Sequence, residues 1–291
     1  MGFVINNNLA ANNSYRNLNA TQSDLSKSLE KLSTGLRINR AGDDAAGLAI
    51  SEGLKAQVTG SAQAARNAQD GISVIQTTEG ALTEVHSILQ RMRDLAVQGA
   101  SDTNNADART AIKNEGDSLG QELDRLTKGT NFNGIDLLKG ATGAGVTATA
   151  TPGSLEIQVG TGGTSGTDSI KIKVGDVSTA VGALSSATTA GDFLVDTATN
   201  AQTTIGKIDT AIKNISAQRA DLGAAQNRLE HTIKSLNVAG ENLQAAQSRI
   251  ADVDMASEMV KFTKANILSQ AGTAMLAQAN QSSQGVLSLL R

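Results

Sequence analysis

Residues 215–250 read ISAQRADLGAAQNRLEHTIKSLNVAGENLQAAQSRI, with Ile215, Leu222, Leu229, Leu236, Leu243 and Ile250 at intervals of seven. No proline interrupts them. A strict seven-residue repeat draws one narrow apolar seam along a helix, and such a seam needs a partner helix to cover it. Upstream the periodicity extends through Ile205, Ile208 and Ile212; downstream Val253 continues it. The start of the chain carries matching stripes. Leu18, Leu25, Leu29, Leu32 and Leu36 follow spacings of 7, 4, 3 and 4. Ile72, Ile75, Leu82, Val85, Leu89, Met92 and Ala96 form another. Partnered heptads at both ends around a soft middle predict a mainly α chain: a long antiparallel helical rod, a coiled-coil bundle formed by both chain ends. A chain of this kind is built for assembly rather than catalysis.

Composition supports thin seams over globular cores. The chain has 291 residues, of which 2% are aromatic and one is proline. Large cores use aromatics to fill volume; here Ala, Leu, Ile and Val suit helix-on-helix contact. A net charge of −3 gives no basic footprint for nucleic acid and no polybasic patch for a membrane. No stretch reaches the roughly 18 apolar residues of a membrane span. Without cysteine there are no disulfides and no thiolate metal sites. The start, Met1 to Asn8, has neither the basic region nor the apolar region of a cleaved secretory signal, and Asn6 does not fit a myristoylation pattern.

Three helices are expected before the centre and two after it. The first spans about Leu9 to Leu36. Asp43 and Asp44 start the second, where carboxylates meet free N–H groups; it runs to about Gly99, roughly 80 Å at about 1.5 Å per residue. Ser101–Asn105 turns the chain. The third carries Ile112, Leu119, Leu123 and Leu126 and ends at Lys128-Gly129. Residues 140–200 are rich in Gly, Thr, Ser and Ala. Within them Leu155–Val159 and Ile170–Val174 alternate with period two, which predicts a β-hairpin. Residues 175–198 show no period and read as a surface loop. After the heptad helix and a break at 251–254, a last helix places Met255, Met259, Phe262, Ala265, Leu268, Met275 and Ala279 on one side. The expected domains are a terminal coiled coil (1–43 with 255–291), a helical rod (44–140 with 199–254), a hairpin (141–176) and a short loop (177–198).

Catalytic constellations are absent from the sequence. Asp43 and Asp44 are adjacent and point apart on a helix, with no histidine near. His86 and His231 cannot form a metal motif and no third imidazole exists. No phosphate-binding glycine loop follows a strand. No catalytic residue, metal or cofactor is expected. Glu79 and Arg93 occupy stripe positions that should be apolar; a solvated edge and a polar contact between subunits fit equally well.

Long words in the chain resemble bacterial flagellin. They include Leu32–Asn39, Asp43–Ile50, Gln90–Gln98, Asn131–Gly134, Ser248–Asp254, Ala274–Gln281 and the closing Val286-Leu287 and Leu289-Leu290. The resemblance covers about residues 1–140 and 200–291 and implies a short form without large outer domains. It implies a secreted, extracellular subunit of the flagellar filament, with itself as main partner in an open helical homopolymer. It also implies the flagellar type III export apparatus, an export chaperone, a filament cap and hook-associated proteins. By the same resemblance, Arg91, Leu95 and Glu115 lie on the surface that Toll-like receptor 5 recognises. Leu25, Leu29, Leu32, Leu36, Met259, Phe262, Leu268, Met275, Leu287, Leu289 and Leu290 are the expected assembly interface. A hook–filament junction protein shares the terminal heptads, and a secreted coiled-coil effector is the reading from another class. Ser and Thr of 141–203 read first as solvated loop and second as O-glycan acceptors. The terminal stripes are thin and rich in Ala, Asn and Gln, so they are expected to order only on assembly.

Overall fold

The computed structural model describes residues 8–139, 142–143, 153–164, 166–182, 184 and 193–288; side chains of residues 10, 142–143 and 282–288 are not described. Six helices and five short strands follow in order: α1 Leu9–Thr34, α2 Ala45–Gly99, α3 Ala106–Gly129, β1 Asn131–Phe132, β2 Ile135–Asp136, β3 Thr142–Gly143, β4 Ser154–Gln158, β5 Ser169–Lys173, α4 Val177–Gly182, α5 Ala198–Ala251 and α6 Met255–Ser288. The chain is mainly α, with helices from both ends and a small hairpin. It divides into two units: Met1–Val58 with Glu241–Arg291, and Thr59–Gly240. The cuts fall inside α2 and α5, away from the helix ends at 43/44 and 254/255.

Residues 59–240 hold the large apolar core. On α2, Ile75, Thr78, Leu82, Val85, Leu89, Met92 and Ala96 are buried at alternating spacings of three and four. On α5, Ala201, Thr204, Ile208, Ala211, Ile215, Leu222, Ala225 and Leu229 repeat the pattern. Thr78 and Thr204 sit in this seam without penalty, because their hydroxyls donate to the carbonyls of Val74 (2.8 Å) and Leu194 (2.9 Å). Two cross-helix ion pairs flank it: Arg93 with Asp209 at 2.7 Å, and Arg219 with Glu79 at 3.5 Å. Glu79 and Arg93 thus have partners on α5 of the same chain, and these pairs run antiparallel. Asp209 is also what raises the Arg93 guanidinium above its ordinary value.

The β elements close one side of that core. β1 and β2 pair antiparallel around Asn133-Gly134, both with positive φ (50° and 80°), the backbone of a two-residue primed turn. β4 and β5 form the expected hairpin with Leu155 opposite Ile172 and Ile157 opposite Ile170. Ile172 and Val174 face inward; the opposed pair Glu156 and Lys171 faces out.

The expectation of a surface loop at 177–198 is overturned at the residues described there, while 183 and 185–192 lie outside the described residues. Val177, Val181, Leu184, Phe193 and Val195 are all buried in the main core. Gly116 on α3 makes the room: a Cβ there would overlap the Phe193 ring. These residues escaped a periodic reading because one short helix and irregular chain deliver them.

In the other unit, α1 and α6 form an antiparallel pair. Asn8 Nδ2 donates to the Ala279 carbonyl (2.9 Å), Leu18 lies against Gly272, Ser269 Oγ donates to Gln22 Oε1 (3.4 Å), and Ser28 Oγ donates to Glu258 Oε1 (2.7 Å). The linkers beside the pair are stitched together. Arg37 N donates to Ala251 O (2.7 Å), Val253 N to Gly35 O (3.0 Å), and the Arg37 guanidinium to Ile250 O (2.7 Å). Asp44 caps α2 by accepting from Gly47 N (2.9 Å). Asp43 accepts from Arg40 N and Asn39 N, which hold its carboxyl below the usual range.

Candidate assembly interface

Two different faces of α6 carry apolar residues. Glu258, Phe262, Ala265, Ser269, Gly272, Leu276 and Ala279, spaced four and three, form the covered face toward α1. On α1 the covered positions are Ala11, Ser14, Leu18, Thr21, Leu25, Ser28 and Leu32. At about 100° per residue, Val260, Thr263, Lys264 and Ile267 project roughly opposite that seam. The expected single apolar side of α6 is therefore corrected to two faces. Phe262 and Ala265 lie on the covered one, while Met255, Met259, Leu268 and Met275 are exposed.

The exposed face is apolar as well. Val260 is 70% exposed, Met275 64% and Ile267 61%. Met259, Val260, Thr263, Lys264, Ile267 and Leu268 line an open groove of about 450 Å³. On α1, Leu29 is 54% exposed and Leu9 and Tyr15 are also out. A helix with two apolar faces has more to bury than one partner helix covers, and a contiguous exposed apolar face marks an interaction site.

Of the sequence candidates, Leu25, Leu32 and Phe262 lie in the α1–α6 seam and Leu36 in the linker bridge with Asp252. Leu29, Met259, Leu268 and Met275 face outward. The side chain of Leu287, and Leu289 and Leu290 entirely, lie outside the described residues. Val260 and Ile267 were missed because the periodic reading sought one stripe. Their signal is simply two apolar β-branched residues off that stripe.

Glu258 brings a carboxylate into the seam. It is only 4% exposed, and Lys261 Nζ lies 3.0 Å from Oε2 while Ser28 serves Oε1. Burial pushes its carboxyl up, but the hydrogen bonds from Ser28 and Lys261 outweigh it and leave the group below its ordinary value.

Arg91 and Glu115 join α2 to α3 through an exposed ion pair, with Nη2 to Oε1 at 2.6 Å. Leu95 is 2% exposed and packs in the core beneath, so it is not on that face. His86 contacts Gln90 across one helical turn. Among the described residues no group of three acidic or imidazole side chains could hold a metal ion. Among them too, no helix is long and apolar enough to cross a membrane.

Comparison with known proteins agrees with this architecture. Residues 5–142 match the bacterial flagellin N-terminal helical region, and residues 205–290 match the C-terminal helical region. The chain is 51% identical to a flagellin of Halalkalibacterium halodurans over 290 residues, 99% of this chain and all of that one. It is 50% identical to Bacillus subtilis flagellin, covering 99% of each chain. A solved Vibrio parahaemolyticus protein described as flagellar hook-associated shares the fold at a TM-score of 0.53 and 14% identity, over 72% of this chain and all of that one. The full-length relatives at half identity favour the filament subunit over the junction protein. The chain belongs to the bacterial flagellins, the structural subunits that polymerise into the filament of the bacterial flagellum.

Proposed function

We propose that subunits join through the apolar face that α1 and α6 leave uncovered. The observation that carries this reading is the outward row Met259, Val260, Ile267, Leu268 and Met275, too large and too apolar to remain wet. The α1–α6 coiled coil is then the part of the subunit that contacts its neighbours in the filament. Contacts between unlike faces that do not close on themselves give an open helix. The subunit is secreted through the flagellar type III apparatus with an export chaperone, and grows beneath a cap beyond the hook-associated proteins. Toll-like receptor 5, where a host presents it, meets the Arg91–Glu115 pair.

Seeded polymerisation tests the central claim. Val260→Asp with Ile267→Asp places two charges on the outward face without touching the α1–α6 seam. Elongation followed by light scattering should fall at least tenfold. Removal of residues 255–291 should abolish it. Normal elongation of either variant would sink the proposal.

A further inference from the structure

Thr21, Ser26 and Thr34 on α1 turn their hydroxyls back onto the carbonyl four residues earlier in the same helix. Ser28 departs from that habit and donates across the pair to Glu258. Both partners are buried, Ser28 at 7% exposure and Glu258 at 4%. Lys261 holds the second carboxylate oxygen, and Lys31 adds its positive field from α1.

The rest of the seam discriminates weakly between alignments. On α1 the large members Leu18, Leu25 and Leu32 recur every seven residues between the small Ala11, Ser14 and Thr21, and they face a helix whose covered positions are Phe262 and Leu276 among the small Ala265, Ser269, Gly272 and Ala279. Small side chains interdigitate little, and the pattern nearly repeats after seven residues. A buried carboxylate adds little net stability over an apolar pair of the same shape, because desolvation offsets its attraction. Its effect is to penalise every alignment in which it stands unpaired. A seven-residue slip one way carries Glu258 beyond the end of α1 at Thr34. The other way sets it against Thr21, whose hydroxyl is committed to Asn17, and away from Lys31.

We propose that Ser28 and Glu258 are the register pin of the α1–α6 pair, positioning residues that fix which turn of one terminal helix meets which turn of the other. The proposal rests on the reading that this pair orders within the filament.

The absence of cysteine makes the test direct. Asn19→Cys with Gln270→Cys, both exposed, takes a spin-label pair, and labelled chains are doped sparsely into unlabelled filaments. Pulsed dipolar spectroscopy then reads the distance between the helices. The parent and Glu258→Gln, whose amide oxygen still accepts from Ser28, should each give one narrow distance. Ser28→Ala with Glu258→Met should add a second population, from a slip of about 10 Å along the axis. The exchange Ser28→Glu with Glu258→Ser keeps a lysine three residues on in either helix, Lys31 or Lys261, and should restore the single distance. An unchanged narrow distance in the apolar double variant overturns the pin. So does failure of the exchanged pair to restore it. Should the apolar variant stay out of filaments while the exchanged pair enters, the pin is supported. Exclusion of both, and of Glu258→Gln, overturns it in favour of a bare need for charge at 258. Failure of the labelled parent to enter filaments would instead sink the assembly reading.

Discussion

Single side chains decide how closely these helices approach. Gly116 and Phe193 form one such contact, a missing Cβ against the most voluminous fully buried side chain among the described residues. Phe193→Ala should cost about 3–5 kcal/mol, as large aromatic truncations in cores do. Gly116→Ala should destabilise as well, by about 1–3 kcal/mol from overpacking, partly offset by the better helix propensity of alanine. Urea unfolding of the monomer measures both, and a neutral Phe193→Ala would mean that 193–195 is not held in the core. Glu258 belongs to the same scale. Its folded carboxyl lies below the ordinary value of 4.5, so the stability it contributes is present above that pH. That contribution is lost as pH falls through the lowered value. Acid loss of filaments should therefore occur at lower pH, or less steeply, in Glu258→Gln than in the parent. Asp43 and Asp176, also held below their usual range by hydrogen bonds, remain in both chains and set the common background.

Along a helix, the seven-residue ladder of α5 is less uniform than its spacing. Ile215, Leu222 and Leu229 are fully buried, whereas Leu236, Leu243 and Ile250 are half-buried. Alanine at Leu222 or Leu229 should cost about 2–5 kcal/mol, and alanine at Leu243 distinctly less in the isolated subunit. Polymerisation should reverse the ranking of effects on filament yield if neighbours complete the cover of the last three rungs. Equal destabilisation by Leu229→Ala and Leu243→Ala in the monomer would contradict the graded burial. The five long helices, their approximate ends and the β4–β5 hairpin were legible because each carries its own period and its own caps, such as Asp44 before α2; the short α4, with too few residues to show a period, was not. Which face of α6 meets α1 was not. An apolar residue looks the same in sequence whether a helix of its own chain or a neighbour covers it, and α6 carries both kinds. The core role of Phe193 was hidden for another reason: it depends on Gly116, and a glycine advertises absence rather than contact. The partners of Glu79 and Arg93 needed the antiparallel alignment of α2 and α5, which no local pattern encodes.

For the whole molecule, the first and last helices are the ones that meet. Circular dichroism of monomer and filament checks whether that meeting waits for assembly: the filament should show more helix per residue, and equal helicity would count against ordering on assembly. The chain's order of synthesis adds a consequence of the same contact. Ser28 and Glu258 are separated by 230 residues, so at about 5–20 residues per second a ribosome finishes α1 some tens of seconds before its partner exists. A chain broken off anywhere in between has a complete α1 and nothing to lay it against. On the proposed assembly, the closing of the terminal pair reports that translation ran to α6, and a truncated product should be barred from the filament by its own missing half.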